Sequence, residues 1–569
     1  MSDVTSSESA ASGAKKSKAL RYAATLLVVR DAPAGMEVLM IRRPERVGDL
    51  YSDAWVFPGG VLESHDRTLY DLCVGLDDGA ASARLGVGEH GLDYFIAAIR
   101  ECFEEAGLLF AYGQGGELVD LDSAQLSTLR KSLHAGDTSF GATLRQLRLR
   151  LAVDRLAYHS HWLTPPGYPK RFDTRFFLAT APAVQTVLHD GHEAVQHFWL
   201  RPADALARAD EFKMRQATRR TLDALSSFAT AAASFEHARS PRHIAVMMPR
   251  LALGANGPRP IMADHPAYAE VGRMDPDGRG DAFYEIQHGR GVRLSERVIR
   301  VTAPNGNVMT GPGTNSYLVG SSVSNEWAVI DPGPDIEGHV EAIVAAAPGT
   351  IRWIFVTHTH MDHSPAAARL KSLTGAIVHG RRAPDQAGHD SAFQPDRLLA
   401  HGERIAIGEG STLRVVHTPG HASNHLCYLL EEEKTLFTGD HVMQGSTVVI
   451  TPPDGDMVAY LASLAALLEE DLQWLAPGHG YLLDRPHAVV EKTIAHRLAR
   501  EAKVVEALRA LAPVDADGLL PRVYDDVDVR MHPMAKRSLT AHLIKLRGDD
   551  IAVESEGLWQ LRSAAAPKR

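Results

Sequence analysis

Cysteine is scarce. The chain of 569 residues carries three, Cys73, Cys102 and Cys427, and their spacing matches neither a disulfide framework nor a thiolate metal site. They read as free thiols of a reducing compartment, which points to the cytoplasm. Long apolar runs are missing too. None approaches the ~18 residues that a bilayer crossing needs, so no membrane segment is expected. Met1 to Lys18 is rich in Ser and Ala, holds Asp3 and Glu8, and lacks the apolar centre of a signal peptide, as a flexible tail over 1–17 would. Positive charge is not in excess. Lys and Arg number 60 against 70 Asp and Glu, a formal net charge of −10, which argues against nonspecific coating of nucleic acid. What is present is an ordinary globular composition, 45% hydrophobic and 23% charged. The length exceeds what one hydrophobic core supports and suggests about three or four domains.

The densest chemistry lies in the C-terminal half. Ile351-Arg352-Trp353-Ile354-Phe355-Val356 reads as a buried strand, and Thr357-His358-Thr359-His360-Met361-Asp362-His363 follows it. That order places three imidazoles and a carboxylate at the carboxyl end of a strand, where open α/β sheets gather ligands. Neutral imidazole and carboxylate suit zinc or a similar divalent ion. The partners such a site needs recur downstream as an apolar run, a turn with Gly and one ligand: Thr418-Pro419-Gly420-His421, Thr438-Gly439-Asp440 and Pro477-Gly478-His479. Asp331, after Trp327-Ala328-Val329-Ile330, repeats the arrangement upstream.

These five motifs resemble those of the metallo-β-lactamase superfamily over residues 296–485. The resemblance implies that His358, His360 and His421 hold one metal, Asp362, His363 and His479 a second, and that Asp440 bridges them. Two Zn2+ ions, or another divalent pair, would then generate hydroxide near neutral pH and stabilise oxyanion charge, with Asp362 also carrying catalysis. Asp331 matches a residue that orients a ligand. His425 and His441 read as structural, and His339 as a solvated helix residue. The complete second ligand set argues against a mononuclear iron dioxygenase of this fold. The 38 residues between Asp440 and His479 leave no room for the large inserted domain of some RNA-cleaving relatives.

In the N-terminal half, Tyr22 to Val29 and Met36 to Ile41 read as paired strands. Trp55-Val56-Phe57 runs into Pro58-Gly59-Gly60. From Phe95 to Gly107, apolar residues at 95, 96, 99, 102 and 103 give one buried helical face, with Glu101, Glu104 and Glu105 at i, i+3 and i+4. Carboxylates so close repel one another unless a cation such as Mg2+ or Mn2+ joins them. Pro58-Gly59-Gly60 with Arg100-Glu101-x-x-Glu104-Glu105-x-Gly107 resembles a Nudix box, split in the manner of coenzyme A diphosphatases, with the resemblance covering 18–230. It departs from the family pattern at Asp66, which stands where the box has its first Glu, and in the 33 residues between Asp66 and Arg100. Residues 67–93 read as an extra loop at the site mouth. Glu193 matches a further ligand or base. Arg42, Arg43, Arg46, Lys170, Arg171 and Arg175 are candidate phosphate contacts.

Residues 231–295 read as a connection with short strands. In 486–569, helices over Val489 to Leu511 and Pro533 to Leu546 precede a hairpin from Ile551 to Leu561. This looks like the winged-helix appendage of lactamase-like endoribonucleases, and it either packs at the site mouth or offers Lys536, Arg537, Lys545 and Arg547 to phosphate. The expected architecture is therefore α/β multidomain: a Nudix α/β/α sandwich, an αββα metallo-β-lactamase sandwich and a small winged-helix domain. The expected function is a two-headed metal-dependent hydrolase. One head would cleave a diphosphate in a CoA-like or nucleotide substrate, and the other a thioester or phosphodiester. The alternative is an endoribonuclease acting on single-stranded RNA with a silent Nudix module. The oligomeric state stays open.

Overall fold

A computed structural model describes residues 19–562 apart from 48–51, 120, 184, 189–190, 192 and 322. The expected tail 1–17 lies outside the described residues. The chain divides into two compact units, Met1–Pro249 and Arg250–Arg569.

In the first unit, the β-branched and leucine-rich strand Leu20–Ala32 is the centre of a mixed sheet. It pairs parallel with Arg171–Thr180 and antiparallel with Gly35–Arg42. The helix Gly91–Ala106 lays Phe95, Ile96, Ile99, Cys102 and Phe103 against Leu26 and Val28 of that strand. Each such side chain contributes about 1.5–3 kcal/mol by leaving water. The helix Ala231–Arg239 packs on the strands Ala157–Leu163 and Arg171–Thr180.

Residues 67–93 are not the loop that their Gly and Asp content suggests. A 3-10 turn Asp66–Leu72 and a helix Asp78–Leu85 bury Leu69, Leu76, Ala81 and Leu85 in the same core. The Asp78 carboxylate accepts the His90 and Leu92 N–H groups and so ties this helix to the start of the next one.

The second unit stacks two sheets. The seven-stranded sheet contains Asn315–Ser321, Glu326–Ile330 and Thr350–Phe355; the six-stranded one contains Thr412–His417, Leu426–Leu430, Thr435–Gly439 and Trp474–Pro477. Tyr317, Val319, Ile330 and Phe355 face Val415, Leu426, Tyr428 and Phe437 in the core between them. Helices His339–Ala346 and Ala366–Thr374 cover one outer face, and Met457–Leu467 with Pro486–Leu511 covers the other. The result is an αββα sandwich. Within 250–295, a hairpin Arg250–Gly254/Gly257–Ile261 and a helix Tyr268–Met274 form a small core of their own, with Tyr481 packed against it.

The C-terminal part holds Pro486–Leu511, Ala516–Val523, His532–Gly548 and the hairpin Ala552–Ser555/Leu558–Leu561 around Leu508, Leu519, Leu543 and Trp559. This is a winged helix. Among the described residues, no helix is long and apolar enough to cross a membrane.

Candidate metal centres

Every ligand motif of the second unit sits where a core strand ends. Strand Thr350–Phe355 delivers residues 357–363, Thr412–His417 delivers His421, Thr435–Gly439 delivers Asp440, and Trp474–Pro477 delivers His479. Two groups of side-chain donors result, His358/His360/His421 and Asp362/His363/Asp440/His479, and within each the donor atoms lie within 4.8 Å of one another.

In the first group, His360 Nδ1 is 2.9 Å from His358 Nε2 and 3.0 Å from His421 Nε2. His421 donates its Nδ1–H to the Val449 carbonyl at 2.8 Å, which leaves Nε2 a lone pair aimed at the group. Burial and the neighbouring imidazoles hold all three neutral: His358 is pushed well below its ordinary pKa, His360 down to about 3, and His421 downwards. A cluster of neutral imidazole lone pairs is a site for a cation.

In the second group, His479 Nε2 is 3.2 Å from Asp440 Oδ1 and 3.4 Å from Asp362 Oδ2, and His363 Nε2 is 3.4 Å from Asp440 Oδ1. Burial opposes charge on His363, but Asp362, Asp440 and Asp331 outweigh it and raise its pKa well above the ordinary value. His479 is raised to about 9 against the same penalty, chiefly by Asp440. Asp440 and Asp362 are correspondingly lowered, Asp362 to about 2, with burial opposing and the two imidazoles prevailing. The group thus stabilises positive charge at its centre.

Two observations test the fit to divalent ions. His363 Nε2 and Asp440 Oδ1 are buried with no hydrogen-bond partner, an expensive state for polar atoms unless a ligand is their intended partner. Gly478 has no side chain where a Cβ would lie 2.8 Å from both Asp440 Oδ1 and the His363 ring, so its absence keeps the centre open. The residues fit the group.

Asp331 orients the first ligand loop. It accepts the Thr357 N–H at 2.7 Å and its hydroxyl at 2.8 Å, and takes His363 Nδ1–H at 2.9 Å, which aims Nε2 at the group. Its φ of +50° is one that Asp tolerates. His425 is fully buried, with Nδ1 2.9 Å from Thr418 Oγ1, and His441 is fully buried beside Tyr460. His339 is a correction. It is 1% exposed rather than solvated, since its helix lays the ring over Gly333, with Nε2 3.1 Å from Ser316 Oγ.

Sequence reasoning missed His389 and Asp454. His389 stacks on His360 with ring centroids 4.5 Å apart, and bridges Thr359 Oγ1 at 2.9 Å to Asp454 Oδ2 at 3.1 Å. No motif surrounds either residue, and the only local signal is a lone His in a polar loop.

In the first unit, Arg100 is 2% exposed and lies between the acidic residues. It bonds Asp66 at 3.0 Å, Glu101 at 2.8 Å, Glu104 at 3.3 Å and the Val61 carbonyl at 2.9 Å. Asp66 therefore does the work of a Glu at that place, as a buried partner of Arg100. Glu105 turns away to accept the Gly59 N–H at 2.8 Å. The counter-charge beside the crowded carboxylates is Arg100, which bonds Glu101 and Glu104. Burial raises all three, Glu101 to about 7 and Glu105 well above the ordinary value. Gly60 lets the Glu101 carboxylate lie close against the backbone, since a Cβ there would fall 2.4 Å from the carboxyl carbon and the side chain would have to shift.

The αββα sandwich with a double His/Asp set at its strand ends defines a hydrolase of the metallo-β-lactamase class. Family models match three stretches: the metallo-beta-lactamase superfamily over 309–479, the NUDT19 Nudix domain over 87–217, and the beta-lactamase associated winged helix domain over 516–559. The beta-lactamase-like protein 2 homolog of Drosophila melanogaster is 32% identical over 293 residues, 48% of this chain and 93% of that protein. Its counterpart of the same name from Caenorhabditis elegans is 27% identical, over 45% and 83%. The atrochrysone carboxyl ACP thioesterase of Aspergillus chevalieri is 35% identical, over 38% and 67%. The chain belongs to the metallo-beta-lactamase superfamily, fused to a Nudix domain and ending in the associated winged helix. It is a hydrolase, and its fold implies divalent metal binding.

Proposed function

We propose that the C-terminal head hydrolyses a thioester and the N-terminal head a diphosphate of a CoA-like or nucleotide substrate. The observation that carries the first is the place of Asp440. Its Oδ2 lies 3.8 Å from His421 Nε2, while its Oδ1 lies 3.2 Å from His479 and 3.4 Å from His363. One carboxylate thus faces both groups. His358, His360 and His421 would hold one ion, Asp362, His363 and His479 the other, and Asp440 would serve both, in a nitrogen and oxygen set that suits zinc. A bound pair of divalent ions supplies water ionised near neutrality and stabilises the charge that develops on the attacked carbonyl oxygen. Asp362, with an edge open to the cleft, is placed to take up a proton there. In the other head, Glu101, Glu104 and Glu105 would hold Mg2+ or Mn2+, with Arg100 setting the positions of the first two and the Gly59 N–H that of the third. The reading assigns the heads to 296–485 and 18–230, with 231–295 as their connection and 486–569 as the appendage.

The charge of the appendage favours a small thioester over RNA. Lys536 pairs with Asp517, Lys545 with Glu501 and Asp549, and Arg547 with Glu554. Three of the four cations available to a phosphate backbone are thereby neutralised. The name of the Aspergillus relative agrees with thioester chemistry.

The test is mass-spectrometric product identification with acetyl-CoA and a short single-stranded RNA, for the wild type, Glu104→Gln and Asp440→Ala. Free CoA lost only in Asp440→Ala, and 3′,5′-ADP lost only in Glu104→Gln, support both heads. RNA cut by the wild type but not by Asp440→Ala, with acetyl-CoA untouched, replaces the thioester by a phosphodiester.

A further inference from the structure

Five of the donors, His360, Asp362, His421, Asp440 and His479, line a cleft of about 510 Å³, and residues of the winged helix line it with them. Two features of that cleft go beyond those donors. Met309, Met361, Met443, Met531 and Met534 all line it, although they come from four separate segments of the chain. Methionine is the adaptable apolar side chain, unbranched and able to repack around chains of differing shape. Around the same mouth, Val308, Met309 and Met361 leave 73%, 41% and 56% of their surface in water. Large apolar side chains clustered in the open mark a binding surface.

The second feature is Arg537. Three arginines line the cleft. Arg497 is buried, donates to the Val448 carbonyl and lies over the Tyr460 ring. Arg500 is spent on Asp526 and the Val523 carbonyl. Arg537 is exposed and, among the described residues, its guanidinium makes no hydrogen bond or ion pair. A guanidinium without a partner, beside an apolar wall, suits one phosphate or carboxylate of an otherwise apolar ligand.

We infer that the cleft is shaped for the S-acyl form of a phosphopantetheine thiol. A flexible aliphatic acyl chain lies on the methionine wall, and the phosphate lies against Arg537. The inference rests on the thioester reading and names its substrate class. Hydrolysis adds water across the C–S bond: the acyl carbon takes the water oxygen, the bond to sulfur breaks, and the products are a carboxylic acid and a thiol carrying the remaining proton. The winged helix is then a specificity element of the active site, since it supplies Met531, Met534 and Arg537.

The test is calorimetric binding to the full chain of thioethers that cannot be hydrolysed: S-octyl-phosphopantetheine, S-methyl-phosphopantetheine and S-octyl-pantetheine. None contains a diphosphate for the N-terminal head to recognise. In the wild type, octyl should bind ~10-fold tighter than methyl, and the phosphate should add ~5-fold. A Met531→Ser/Met534→Ser double variant should lose the chain-length ratio and keep the phosphate ratio. Arg537→Gln should do the reverse, with Arg537→Lys restoring the phosphate preference. Equal binding of octyl and methyl overturns the inference, as does a phosphate effect that survives Arg537→Gln, or no binding of any probe. The same thioether on an acyl carrier protein, which also lacks a diphosphate, identifies the source: tighter binding than S-octyl-phosphopantetheine means a carrier protein, equal or weaker binding means CoA. Octanoyl-CoA hydrolysis, assayed in parallel, separates the two claims. The binding pattern without hydrolysis sinks the thioester reading, and hydrolysis without the pattern sinks only this inference.

Discussion

Glu270 and Arg300 form a buried bidentate ion pair, 2.6 and 2.9 Å across its two contacts, that grips the His479 loop from below. Glu270 Oε2 also accepts the Leu482 N–H at 2.9 Å, and Arg300 donates to the Gly480 carbonyl at 3.3 Å. The two residues are 1% and 2% exposed. A metal ligand on a glycine-flanked turn has little rigidity of its own, and here its backbone is held on the far side of His479 by a pair of fixed charges. The helix Tyr268–Met274 that bears Glu270 is therefore part of the support of the candidate metal centre.

Glu270→Gln should cost ~3 kcal/mol or more, because Arg300 is left buried with an uncompensated charge. Differential scanning calorimetry reads the loss of stability. Metal analysis should show the second ion, at His479, released at lower chelator concentration than the first. Retention of both ions at wild-type affinity would show that the pair stabilises the fold without positioning the ligand.

Asp331→Asn keeps a residue that tolerates the positive φ and removes the charge that aims His363. Metal affinity should fall ~10–100-fold with little change in thermal stability of the metal-free chain. Competition against a chromogenic chelator measures it.

His339 is buried and neutral, with its pKa pushed down to about 4, mainly by burial. An unfolded chain takes up a proton near pH 6.5 that the folded ring refuses. Its contribution is thus fully present above pH 6.5 and is lost as pH falls from 6.5 toward 4, up to about 3 kcal/mol in all. His339→Gln should flatten that part of the stability profile, read from urea midpoints at pH 7.5 and 5. An unchanged slope would mean that the ring is protonated in place.

Gly60→Ala forces a methyl group into the Glu101 carboxylate. Displacing that side chain by a fraction of its length should lower diphosphate cleavage about 100-fold, with hydrolysis by the C-terminal head unchanged. Equal loss at both heads would instead report unfolding.

The candidate ligand motifs were legible for a local reason. His358 follows a buried strand in a dense run of His and Asp, and His421, Asp440 and His479 each follow a buried strand and a short Gly-containing turn, so each announces a place at a strand end. The Nudix helix was legible from its apolar period and its Arg-Glu spacing, and Asp66 from its place in the box, although its pairing with Arg100 and the helical insert 66–85 were not. Gly and Asp in that insert serve as caps and close-approach points rather than as loop residues. Asp78, for example, spends its carboxylate on two N–H groups.

The sequence by itself pointed to the candidate metal ligands, to the αββα sandwich that carries them, and to the two heads and the wing. Tertiary structure alone decided what supports and surrounds them. Glu270 meets Leu482 across 212 positions, Asp454 meets His389 across 65, and Arg537 reaches the cleft from a separate helical subdomain. Such contacts carry no local period or turn signature. They arise only when hydrophobic burial has brought distant segments together and each buried polar group must then find a partner.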